Sequence, residues 1–241
     1  MNEAQRFLRY VTPGLMFLAE ALVLLLILLP DWTITTLKEN LREHEALGVV
    51  FATLLASGGV GFVFSVMHHV VLWSWIDAEI LDLSGVVARL LKLKVLELCD
   101  ANTGEKLKLE EVSRIDGWVI VTSLWNIRLE NSQIKAAAPQ GQLMTDLTHT
   151  AGTARVATFF SFAAAMIVVA SNSHFSFDIG AVARFIGAVL VFSGLFYVHH
   201  RNYKHLANLC LRYFDEVFSD VMMLEANKPV RTHVVLTDPR K

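Results

Sequence analysis

ALGVVFATLLASGGVGFVFSVMHHVVLWSWI, residues 46–76, runs for 31 positions without a Lys, Arg, Asp or Glu. A bilayer core about 30 Å thick offers the backbone no hydrogen-bond partner, so about 20 apolar residues cross it as a helix. The quoted stretch exceeds that need. As one helix it would run about 46 Å, so it is expected to tilt or to project beyond the lipid.

Three other stretches share its character. Val11 to Pro30 has Glu20 as its only charge, Val156 to Phe177 has none, and Ile179 to Val198 contains only Arg184. The sequence therefore predicts an all-α integral membrane protein with four transmembrane helices near 11–30, 46–75, 156–172 and 180–198. Composition agrees. Of the 241 residues, 54% are hydrophobic and 18% charged, against about 25% charge in a soluble domain. The 21 Lys and Arg nearly balance the 23 Asp and Glu, which excludes nucleic-acid binding driven by net charge. Cys99 and Cys210 are too few for a disulfide framework or a thiolate metal site.

Arg6 and Arg9 before an apolar run would suit a signal peptide. The run is long, however, and Leu28-Leu29-Pro30-Asp31-Trp32 offers no small-residue cleavage site, so the first helix is expected to be retained. The basic residues set the direction of the spans. Of the 21, 18 lie in the N-terminal tail, in 77–155 or after 198, which places both termini in the cytoplasm of a bacterial inner (plasma) membrane protein. Tyr10, Trp73, Trp75 and Tyr197 would mark the inner interface and Trp32 the outer one.

Four regions follow: a tail with two spans (1–75), a cytoplasmic helical segment (76–155), two more spans (156–198), and a cytoplasmic amphipathic helix with its tail (199–241). In the segment, Ile80, Leu83, Val87, Leu90, Leu91 and Val95 have helical spacing, and the chain must turn at Asp100 to Gly104. Alternation on either side of that turn permits a short hairpin. A second helix runs from Glu110 to Gln133, with Glu110 and Arg114 placed as an i,i+4 pair, and 136–141 (AAAPQG) is expected to break it. A short helix from Leu143 would then lead into the third span. After His200, Leu206, Leu209, Cys210, Tyr213, Phe214, Val217, Val221 and Leu224 form a stripe that needs a partner surface, and Pro229 ends that helix.

Few residues invite chemistry. Glu20 lies mid-span, where a lone charge costs at least about 2.5 kcal/mol. It reads as a pore-lining or proton-linked carboxylate, or as a neutral side chain bonded to a neighbouring helix. Arg184 can snorkel outward, pair with Asp178, or reach Glu20 if the helices are offset. His68, His69, His199 and His200 gather at the inner end of the spans, with His205 and His149 beyond them. Imidazoles at one depth can bind a metal or sense pH. The HxxxH and HxxHH patterns of membrane di-iron enzymes are absent; the chain offers HH and HHRNYKH. No phosphate loop, nucleophile elbow or HExxH occurs, and no cofactor is called for. Gly58 and Gly59, with Gly180, Gly187 and Gly194 at intervals of seven, make small-residue faces that fit helix packing within one chain or contacts between copies, and the latter is favoured.

The opening Arg6-Phe7-Leu8-Arg9-Tyr10-Val11-Thr12-Pro13-Gly14, the four spans, and Leu147-Thr148-His149-Thr150-Ala151-Gly152-Thr153-Ala154 entering the third resemble small bacterial polytopic membrane effectors associated with antiviral defence, including CRISPR-associated ones. The resemblance is one of architecture and transfers no functional residues. It implies an oligomer that perturbs the membrane when a cytoplasmic protein or small-molecule signal engages it. A histidine-dependent metalloenzyme acting on lipid, and a passive scaffold for a soluble partner, are the alternative readings.

Overall fold

The computed structural model describes residues 7–40, 46–71, 82–108, 114–172, 178–224 and 230–234. Seven α-helices dominate it, and four helical stretches are long and apolar enough to cross a membrane. The contacts divide the chain into two units, Met1–Ile76 with Asp146–Leu206, and Asp77–Thr145 with Ala207–Lys241.

The first unit begins with a π-helical turn, Phe7–Val11, which runs into α1, Thr12–Leu28. Pro30 lacks an N–H, so the ladder breaks there and α2, Pro30–Asn40, restarts with the proline at its head. The Thr33 hydroxyl bridges the joint by donating to the carbonyls of Leu29 (2.8 Å) and Leu25 (3.1 Å). The span expected to end at Pro30 thus continues as a second helix. α3, Ala46–Met67, passes into a π-helical turn at 68–71. Two long helices complete the set: α6, Ser132–Ser171, and α7, Ile179–Leu224, each with residues in both units. Their 40 and 46 residues far exceed the expected spans at 156–172 and 180–198. Asp178 opens α7, its Oδ1 accepting from the Ala181 N–H at 2.5 Å.

Leu24 and Leu28 of α1, Ala165 and Val169 of α6 and Ala188 of α7 form one apolar cluster. Phe64, Val156 and Ala157 form another, on which Phe17 and Phe160 pack. Outside these clusters, large apolar side chains face outward. Leu55, Ile167 and Leu190 are each about two-thirds exposed, as lipid-facing residues of a spanning bundle would be.

The second unit has its own core. α4, Ser84–Lys92, buries Val86, Val87 and Leu90 against Ile120, Val121 and Leu124 of α5, Arg114–Ile127. α4 closes with Val95 N–H donating to the Leu90 carbonyl while Lys94 takes φ +58°. Strand β1, Leu96–Asp100, turns at Gly104 (φ +72°) and bridges back through Cys99 and Lys106, so the expected hairpin is present but short. Its longer pairing is parallel, to β2, Val230–Val234, with Leu96 opposite Val230. The expected helix break at 136–141 does not occur. The chain turns earlier, at Arg128 to Asn131, where Asn131 Oδ1 accepts from the N–H groups of Gln133 (2.9 Å) and Ile134 (3.2 Å) and caps α6. Pro139 then lies inside α6. Buried Ile134 and the Tyr213 hydroxyl, donating to the Ala137 carbonyl at 2.7 Å, hold that turn against the proline. Of the stripe on α7, Phe214 packs on the α4–α5 core, joined there by Leu211 from outside the stripe, while Leu209 is exposed. Trp73, Trp75, Ile80, the Glu110–Arg114 pair and Pro229 lie outside the residues whose side chains are described.

Candidate functional site

Within the first unit, the long helices divide into a polar end and an apolar end, and Glu20 sits where they meet. Its carboxylate is buried. Nε2 of His199 donates to Oε1 at 3.0 Å, and the Ser161 hydroxyl lies 3.2 Å from Oε2. These bonds join α1, α6 and α7. Of the proposed partners for Glu20, Arg184 is not one; among the described residues Glu20 bonds to His199 and Ser161. Ser161 Oγ also lies 2.8 Å from the Thr158 carbonyl, so one hydroxyl hydrogen serves two acceptors.

The polar end gathers more than histidine. His68 is fully buried, and its ring meets His69 at 5.4 Å, Tyr203 at 5.3 Å and His149 at 6.0 Å between centroids. His69 stacks on His149 at 4.4 Å. Arg9 Nη2 donates to His69 Nε2 across 3.4 Å, which leaves the hydrogen of that ring on Nδ1, donating to the Ser65 carbonyl at 2.7 Å. Arg9 also lies 3.6 Å from Asp146 Oδ1. Arg155, buried, donates to His200 Nδ1 at 3.1 Å and lies over the Tyr203 ring at 4.6 Å. Arg9 thus pairs with the Asp146 carboxylate, while Arg155 faces an imidazole and an aromatic ring.

Of the sequence candidates, the structure brings His68 and His69 together with His149, gives His199 to Glu20 and His200 to Arg155, and leaves His205 exposed. Among the described residues no group of three His, Cys, Asp or Glu side chains is arranged to hold a metal ion. Arg184 and Asp178 share the surroundings of Gly180. A β-carbon on Gly58 or Gly187 would make ordinary contact with Val11 or Ile27, and on Gly59 or Gly194 it would meet nothing within 4 Å. The close approaches lie at other glycines. Gly14 packs on the Ser57 backbone, Gly61 on the Tyr10 backbone, and Gly152 on the His68 ring.

Asp146, Gly152, Ser161 and Tyr203 were not singled out from the sequence. For Asp146 and Ser161 the signal was a polar face running through an apolar helix: Asp146, His149 and Thr153, then Thr158 and Ser161, all buried on α6. The chain matches no family model, no curated protein and no solved structure.

Proposed function

We propose that this chain crosses a bacterial plasma membrane four times with both termini in the cytoplasm, assembles with copies of itself, and alters membrane permeability on receiving a cytoplasmic signal. The Glu20–His199–Ser161 contact carries this reading. A carboxylate inside an apolar helix is expensive, and here it spends its hydrogen-bonding capacity on two other long helices. Such a contact can latch one packing of the helices, and its rupture frees another.

The remaining parts support the same picture. The outward apolar residues of α1, α3, α6 and α7 suit lipid, and the basic residues beside the helices favour cytoplasmic termini. The open faces at Gly59 and Gly194 leave room for a second copy. Helices α6 and α7 contribute residues to both units, giving a signal taken up by the second unit a covalent route to the first. The signal is a protein or a small molecule, and antiviral defence is the setting implied by the architectural resemblance.

Expression in bacteria with a voltage-sensitive dye tests the proposal. Inducing the protein should depolarise cells, and Glu20→Gln should change the extent. Unchanged depolarisation in that variant removes Glu20 from the mechanism. No depolarisation under any condition, with a soluble partner still captured, leaves a membrane tether in place of a permeability device.

A further inference from the structure

We infer that the polar end is a proton path from the cytoplasmic face to Glu20, and that the path stops there. This rests on the membrane-spanning reading above but not on any change in permeability.

The bonding at Glu20 accommodates either state of its carboxyl. With the carboxylate ionised, the Ser161 hydroxyl donates to Oε2 at 3.2 Å. With it protonated, Oε1–H donates back to Nε2 of the neutral His199 ring, and the Ser161 hydroxyl stays on Oε2 or turns to the Thr158 carbonyl at 2.8 Å. His199 supplies the proton. An imidazolium bonded through Nε2 to Oε1 passes that hydrogen across 3.0 Å, leaving a neutral imidazole and a neutral carboxyl, so the charge of the pair is conserved. Phe17, Phe64 and Phe160 fill the space between α1, α3 and α6, so the polar connection runs along α7. One turn from His199 on the same face lies Tyr203, whose ring meets His68 edge-on at 5.3 Å. Beyond His68 stand His149 and His69, then Arg9 and Asp146, with Arg155 and His200 flanking.

Both ring nitrogens of His68, and Asp146 Oδ2, are buried without a hydrogen-bond partner among the described residues. Buried polar atoms of this kind are satisfied by internal water, which bridges gaps too long for direct transfer. An imidazole takes a proton at one nitrogen and releases one from the other. At the opposite side of Glu20 the lining changes. Leu24, Leu28, Ala165, Val169 and Ala188 close together, and the cavity of about 410 Å³ beyond them is walled by apolar side chains such as Met166 and Phe185. These side chains offer no polar atom to receive or release a proton, so the path ends at Glu20.

The test uses dicyclohexylcarbodiimide, which labels protonated carboxyls in apolar surroundings, on full-length protein in inside-out and right-side-out bacterial membrane vesicles. Peptide mass mapping reads the label at Glu20. Acidifying the face that carries the termini should raise labelling severalfold, and acidifying the other face should not. His199→Gln and His68→Leu should each slow the response severalfold, while variants that still elute as folded protein in detergent keep the comparison fair. Labelling that follows the opposite face, ignores pH on both, or is unchanged in both histidine variants overturns the path. Release of the protein by alkaline carbonate would instead overturn the membrane reading. Sided labelling without depolarisation would keep the path and discard the permeability reading.

Discussion

The imidazole of His68 lies directly over Gly152, where a β-carbon would overlap the ring. Both residues are buried, so the ring has little room to retreat. Gly152→Ala should therefore displace His68 and lower stability by about 1–3 kcal/mol, the usual range for overpacking. Gly61 is a harder case, because its neighbour is the Tyr10 backbone rather than a side chain. Gly61→Ala should lose at least as much. Gly194→Ala is the control, since nothing lies within 4 Å of the new methyl, and helix propensity alone favours alanine by about 1 kcal/mol. Thermal unfolding in detergent ranks the three, and equal losses at all three positions would refute the packing argument.

A second prediction concerns the end of α4. Lys94 adopts φ +58° because the Val95 N–H must reach the Leu90 carbonyl and both side chains must enter the core. A left-handed conformation costs a residue with a β-carbon roughly 1–2 kcal/mol and costs glycine almost nothing. Lys94→Gly should raise stability by about 1 kcal/mol and Lys94→Val should lower it. A melting temperature that falls in the glycine variant would show that the lysine side chain contributes more than its backbone strain.

The start of α6 supplies a third. Asn131 Oδ1 satisfies the N–H groups of Gln133 and Ile134, so Asn131→Ala should cost about 1 kcal/mol and Asn131→Asp much less. Hydrogen exchange at Gln133 and Ile134 would localise the effect, and unchanged protection there would show that the cap is idle.

This cap also marks where sequence reading stopped being sufficient. The apolar runs were legible because a missing charge is a property of composition, and Glu20 was conspicuous as the one charge in its run. Local propensity placed the helix break over 136–141, yet tertiary contacts from Ile134 and Tyr213 carry the helix through Pro139, and the turn falls at Arg128 to Asn131 instead. The β1–β2 pair joins segments more than a hundred residues apart, with no local pattern to announce it. The partner of Glu20 was equally hidden. His199 was visible as one of a histidine group, but that it turns toward α1 while His200 turns toward Arg155 depends on the rotation of α7, which spacing alone does not set.

That rotation yields the last prediction, a double-mutant cycle on the Glu20–His199 contact. Glu20→Leu removes the carboxylate and leaves a mostly buried imidazole without its acceptor, a loss of about 1–3 kcal/mol. His199→Phe leaves the carboxylate with Ser161 alone, which is worse, because an unpaired charge in an apolar helix is the more expensive orphan. The double variant orphans neither group. Its loss should be smaller than the sum of the single losses by about 0.5–3 kcal/mol, the coupling range of residues in direct contact. The same cycle run on Glu20 and Arg184 should be additive within about 0.5 kcal/mol, since those residues make no contact. Coupling to Arg184 in place of His199 would mean that α7 is turned about its axis relative to the arrangement described, and the polar column from Asp146 to Glu20 would lose its connection through His199 and Tyr203.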